Sequence, residues 1–168
     1  ERKTAEISKR LCSSLKSISL PQSVTAIGDY ALRACSSLTE LVIPNKVTSL
    51  GISAVENCSG LTEITLSSSL SSIGRLALAG CTGLTELSIP NSVTSIGYRA
   101  FYNCSRLKDV TLSSGWNECP VYSHGAGRYY GHIFEGCTEL VRLDLPEGIV
   151  NLPAGAAAEQ LHSLVGWL

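Results

Sequence analysis

The seven cysteines and three histidines are the side chains best suited to chemistry, and their spacing argues against most of it. Cys119, His124 and His132 fall close together as C-x4-H-x7-H. That spacing matches no common zinc arrangement and lacks a fourth ligand. A Cys–His nucleophile pair could be drawn from the same residues. No orienting Asn or Asp and no oxyanion element accompanies it. No G-x-x-x-x-G-K-[ST] or strand-linked G-x-G-x-x-G motif occurs, and the step Gly125-Ala126-Gly127 is too little to hold phosphate. The expectation is a non-enzymatic chain with no catalytic, cofactor or metal residues. The other six cysteines are set by architecture. Cys12, Cys35, Cys58, Cys81 and Cys104 recur every 23 residues, and Cys137 follows after 33. A fixed period of that size marks a solenoid. Equivalent positions of stacked coils lie about 4.8 Å apart. That is within Cα reach of a disulfide, but parallel side-chain directions oppose the bond. The expected state is a ladder of small, buried, reduced thiols.

One motif positions these cysteines: C-x-x-L-x-x-L-x-L-P-x-x-V-x-x-I-G-x-x-A-F. It is complete in Cys81, Leu84, Leu87, Ile89, Pro90, Val93, Ile96, Gly97, Ala100 and Phe101. The L-x-L core alternates as a strand does, with Leu41 and Ile43 facing one way and Glu40 and Val42 the other. Pro21, Pro44, Pro90 and Pro146 end the strand, because proline cannot donate to a ladder. Val47 and Leu50, and their equivalents Val93 and Ile96, carry a short return strand into the core. Gly28, Gly51, Gly74 and Gly97 then mark a turn that needs either positive φ or close backbone approach. The six residues that follow are long enough only for a helical turn. No single coil buries its own apolar face, so stability comes from stacking.

At 168 residues the chain can bury a substantial core. A formal charge of −1 gives no pull toward nucleic acid. No run of eighteen apolar residues spans a bilayer. The chain starts at Glu1 and holds no methionine, which reads as a processed or trimmed product. Asn57-Cys58-Ser59 and Asn103-Cys104-Ser105 match the glycosylation sequon, but repetition explains both.

The repeat, above all the stretch Leu84 to Cys104, resembles the BspA-like leucine-rich repeats of 23 residues found in treponemal surface proteins. The resemblance covers roughly residues 12–157. It implies an α/β right-handed solenoid with a parallel sheet on one face, and short return strands and helical turns on the other. It also implies cell-surface or secreted proteins that bind other proteins, and it transfers no catalytic residue. Ser67 and Ser113 stand in place of the proline and Pro153 in place of the glycine. The chain reads as a single solenoid over 1–168: a partial N-terminal cap at 1–11, six repeats over 12–157, and a C-terminal cap at 158–168. The apolar stripe of Leu161, Leu164, Val165, Trp167 and Leu168 carries that last cap, or else a docking helix.

Binding has two candidate seats. The first is the outward column Ser17, Glu40, Glu63, Glu86, Asp109, Arg142, beside Ser19, Val42, Thr65, Ser88, Thr111, Asp144. Carboxylates about 5 Å apart repel by roughly 0.8 kcal/mol per pair in water, so Glu63, Glu86 and Asp109 would attract a basic partner. Lys16 and Lys108 lie beside them and would partly neutralise the stripe. The alternative is that the carboxylates are carried along by duplication. The threonines of the same surface could order ice, but the glutamates spoil it. The second seat is an insertion at about 114–132, ten residues beyond the standard length. It holds Trp116, Tyr122, Tyr129 and Tyr130, four of the ten Phe, Trp and Tyr residues, together with Arg128. Insertions in solenoids map to one face, and Trp, Tyr and Arg most often carry interface energy. The alternative is an ordinary loop whose aromatics plug the gap it creates. The expected partner is another protein, bound by a free module, within a multi-subunit complex, or as a surface adhesin.

Overall fold

A computed structural model describes residues 12–112, 121–124, 127–130 and 132–144, with backbone alone over 121–124 and 127–130. The described expectations for 1–11, 114–120 and 145–168, including both caps and Trp116, lie outside these residues.

Each coil has three stretches wrapped around an apolar centre. The front stretch is a three-residue strand: β2 Glu40–Val42, β4 Glu63–Thr65, β6 Glu86–Ser88, β8 Asp109–Thr111 and β11 Arg142–Asp144. The second is a two-residue strand: β1 Ala26–Ile27, β3 Ser49–Leu50, β5 Ser72–Ile73 and β7 Ser95–Ile96. β1, β3, β5 and β7 form one parallel sheet, register Ile27↔Leu50, Leu50↔Ile73, Ile73↔Ile96. The front strands are also parallel, in two groups, β2 with β4 and β6 with β8 and β11. Leu41, Leu87 and Val110 bury from the front, Leu50, Ile73 and Ile96 from the second strand. The corner between them is a turn closed by Val47 N–H to Pro44 O and Val93 N–H to Pro90 O. Ser67 keeps the same turn, with Leu70 N–H on its carbonyl at 3.0 Å and its hydroxyl accepting from Ser69 N–H at 3.1 Å.

The third stretch departs from the expected helical turn. Gly28 to Cys35 make successive i to i+3 turns, in which Ala31, Arg33 and Cys35 donate to Gly28, Tyr30 and Leu32. The alternate amides of Tyr30, Leu32 and Ala34 donate forward to Ile52, Ala54 and Glu56 of the next coil, at 2.7–2.8 Å. A helical turn would point its amides along its own axis and not sideways at the next coil. The turn chain instead makes the third stretch a further inter-coil ladder. Its geometry requires positive φ twice per coil. One such position falls on Tyr30, Ser53, Leu76, Arg99 and His132, the other on Ala34, Asn57, Gly80, Asn103 and Gly136. The second series favours Asn and Gly, which tolerate that conformation. This accounts for the asparagine in both sequon-like triplets.

The turn-marking glycines resolve the other way. A Cβ on Gly51, Gly74 or Gly97 would lie 2.5–2.7 Å from backbone of the preceding coil, and none of the three has positive φ. Close approach is their reason.

The cysteine corner is shared by all coils. Cys58, Cys81, Cys104 and Cys137 donate their thiols to Leu32, Val55, Leu78 and Phe101 carbonyls of the coil before, at 3.1–3.2 Å. These four are reduced and buried. The first pair departs from the expected ladder: Cys12 and Cys35 form a disulfide, with Cα atoms 4.3 Å apart. Cys12 lies in a helical segment that includes residues 12–14, whereas its later equivalents close a turn chain.

The insertion leaves the coil register intact. Phe101 N–H donates to Ile133 O and Asn103 N–H to Glu135 O, the same ladder resumed ten residues later. Phe101 and Phe134 stack at 5.2 Å across the junction. Within the insertion, read from sequence as a loop, the chain forms an antiparallel pair of strands, β9 Val121–His124 with β10 Gly127–Tyr130.

Candidate functional site

The front sheet brings the outward column together by backbone register. Glu40 pairs with Glu63, and Glu86 with Asp109 and then Arg142. Side chains alternate along a strand, so burying Leu41, Leu87 and Val110 turns the flanking residues outward. Glu40, Glu63 and Glu86 are exposed and Asp109 is half-buried. The neighbouring column pairs Val42 with Thr65, and Ser88 with Thr111 and Asp144.

Arg142 ends the carboxylate run. It binds Asp144 of its own strand through Nε at 3.0 Å and Nη2 at 2.8 Å. That hydrogen bond and the Asp144 charge, with Asp109 beyond, hold the guanidinium proton more firmly than usual. An open hollow of about 370 Å³ lies against Glu86, Asp109, Arg142 and Asp144. Lys108, beside the column, has its ammonium 3.6 Å from Glu139. The threonines at the strand edge tie coils together: Thr62 Oγ1 donates to Thr39 O at 3.0 Å.

The insertion residues are only partly brought into view. Tyr122 and Tyr129 are register partners in the hairpin, Arg128 faces Ser123 and Tyr130 faces Val121. Trp116 and Cys119 lie outside the described residues. His132 is half-buried, with Nδ1 3.3 Å from Glu135 Oε2 and its ring edge-on to Tyr98. Among the described residues no group of three or more His, Cys, Asp or Glu is placed to hold a metal ion. Nor is any helix among them long and apolar enough to cross a membrane.

The BspA type leucine rich repeat region matches residues 8–124 as six copies. The chain belongs to that family. A leucine rich cell surface protein from Faecalibacterium prausnitzii is similar at 26% identity and TM-score 0.70, over 80% of this chain and 34% of its own. The pneumococcal vaccine antigen PcpA shares the fold at 23% identity and TM-score 0.68, over 80% of this chain and 32% of its own. The T. pallidum leucine rich repeat protein is 28% identical at TM-score 0.54, over 79% of this chain and 68% of its own. The chain thus spans about a third of the length of the first two. No curated protein matches.

Within this BspA-type solenoid one cluster escaped the sequence. Arg99 lies over the rings of Tyr98 and Tyr102, at 5.2 and 4.7 Å, and forks onto Glu135 of the next coil. Arg33 makes a smaller version, over Tyr30 and 2.7 Å from Glu56. These residues stand at third-stretch positions whose side chains differ from coil to coil. The usable signal was the loss of repetition there: Tyr98, Arg99 and Tyr102 replace Arg75, Leu76 and Ala79.

The thiol ladder is chemically quiet. Burial pushes Cys58 up to about 11, and burial with Cys58 alongside pushes Cys81 higher. Cys104 is raised first by its hydrogen bond to Cys137, then by burial. Protonated, enclosed thiols are poor nucleophiles.

Proposed function

We propose that the chain is a non-enzymatic protein-interaction module, displayed at a cell surface, that binds a partner through its front sheet and its insertion. The observation that carries this reading is the column Glu40, Glu63, Glu86 and Asp109, its three glutamates exposed, on front strands whose backbone is already ordered. A pre-ordered face loses little entropy on binding, and its charge favours a basic partner. Trp116, Tyr122, Arg128, Tyr129 and Tyr130 supply the anchors, and Glu63, Glu86 and Asp109 the steering charge. Surface display is inferred from the likeness to the F. prausnitzii cell surface protein. The right-handed winding is inferred from the resemblance, and the capping of both ends from the residues of 1–11 and 158–168.

The test is cross-linking on native source material to name the protein neighbour, followed by affinity measurements with variants. Replacing Trp116, Tyr129 and Tyr130 with Ala should abolish binding while the thermal unfolding curve is unchanged. Unchanged affinity overturns the role of the insertion. Reversing charge at Glu63 and Glu86 should flatten the salt dependence of association. A salt dependence left as it was reduces the column to an inheritance of duplication.

A further inference from the structure

The front sheet is interrupted at one place among the described residues. β2 pairs with β4 and β6 with β8, but no ladder joins β4 to β6. The same two coils are fastened elsewhere. Ser72 pairs with Ser95 and Ile73 with Ile96, while Leu76, Leu78 and Gly80 donate to Tyr98, Ala100 and Tyr102 at 2.7–3.1 Å. The coils are therefore closed on two faces and parted on the third.

The parting reaches the core. Ile64 is half-buried, whereas its equivalents Leu41, Leu87 and Val110 are 0%, 3% and 1% exposed. A hollow of about 460 Å³ lies over it. The inward-pointing Ile64 and Leu87 make an apolar floor, and Thr62, Glu63, Glu86 and Ser88 are among its other walls. Strand backbone that would ordinarily pair across the coils lines both sides.

We propose that this cleft receives a lysine or arginine side chain carried on an extended segment of a partner protein. The inference rests on the reading of the front sheet as a binding face. A long aliphatic stem with a cationic head matches an apolar floor beneath a carboxylate rim. An apolar side chain would desolvate Glu63 and Glu86 without pairing them, and an acidic one would be repelled.

The experiment is an NMR titration of the isotope-labelled chain with a seven-residue Gly/Ser peptide bearing one central lysine. Matching peptides carry acetyl-lysine or norleucine. Saturating shifts are expected at the amides of Glu63–Thr65 and Glu86–Ser88. Affinity should fall about tenfold with acetyl-lysine, and by a similar factor in the exposed-site variant Glu63→Gln/Glu86→Gln. Equal binding of the norleucine peptide overturns the cation. Shifts spread over Glu40, Val42 and Asp109 that spare Ile64 and Leu87 overturn the cleft but leave the front face as a binding surface. No shift anywhere on the front strands at millimolar peptide overturns the cleft and removes the front sheet from the functional reading.

Discussion

Arg99 grips Glu135 of the next coil from 36 residues away, through Nε to Oε2 at 2.8 Å and Nη2 to Oε1 at 3.0 Å. The pair straddles the insertion in sequence and closes the coil behind it in space. Both side chains are about a third exposed, which weakens a simple ion pair. The fork geometry and two flanking rings restore part of that strength. Arg99→Ala should cost about 1–2 kcal/mol in urea unfolding, and Arg99→Lys about half as much, since an ammonium cannot fork. An unmoved midpoint for Arg99→Ala would show that the Phe101–Phe134 stack closes this coil unaided.

The glycines give a sharper contrast. A Cβ at position 74 would lie 2.6 Å from the Gly51 carbonyl, while one at position 28 meets nothing within 4 Å among the described residues. Gly74→Ala should therefore lower stability by about 2–3 kcal/mol or more, because backbone must move to admit the methyl. Gly28→Ala should change it by less than about 0.5 kcal/mol, or raise it slightly by restricting the unfolded chain. Thermal melts of the two variants decide the matter. Equal losses would mean that conformation and not space selects these glycines.

The sequence was most legible where a residue repeats and faces inward. Leu41, Leu87 and Val110 follow from strand alternation, and so does the outward placement of Glu63, Glu86 and Asp109. It was less legible where backbone sets the choice. The motif left Gly51 and Gly74 open between two physical reasons, and the structure selects the close approach. Positive φ falls instead on Tyr30, Leu76 and Arg99, side chains that announce nothing of the kind. The reason is the neighbouring coil, whose carbonyls take every second amide, and no local pattern reports that demand. The gap between β4 and β6 was equally hidden, because Ile64 and Glu63 obey the repeat as well as their equivalents do.

The thiols set the alkaline limit of the fold. An unfolded cysteine ionises near pH 8.5–9, whereas Cys58 keeps its proton up to about 11. Between those values the unfolded chain sheds protons that the folded chain retains, so stability falls as pH rises. The thiol contribution should be flat below about pH 8, begin to fall near 9, and go on falling through about 11. Cys58→Ser should make that fall shallower without abolishing it, since Cys81 and Cys104 are raised as well. Iodoacetamide at neutral pH should label none of Cys58, Cys81, Cys104 and Cys137 in the native chain, and all four in denaturant. Labelling of Cys58 in the native state would show that its corner opens.

The hairpin is separable from the coil if the ladders are what hold it. Phe101 and Asn103 donate to Ile133 and Glu135 as though nothing intervened, and no described backbone hydrogen bond ties β9 or β10 to a coil strand. Deleting residues 121–130 returns the Cys104 to Cys137 interval to 23, the spacing of every other coil. The shortened chain should unfold within about 4 °C of the parent, the shift that about 1 kcal/mol produces in a domain of this size. Partner binding should be lost in the same protein if the aromatic residues are anchors. A large drop in melting temperature would mean that the hairpin packs against the coils, and that its tyrosines serve the core rather than a partner.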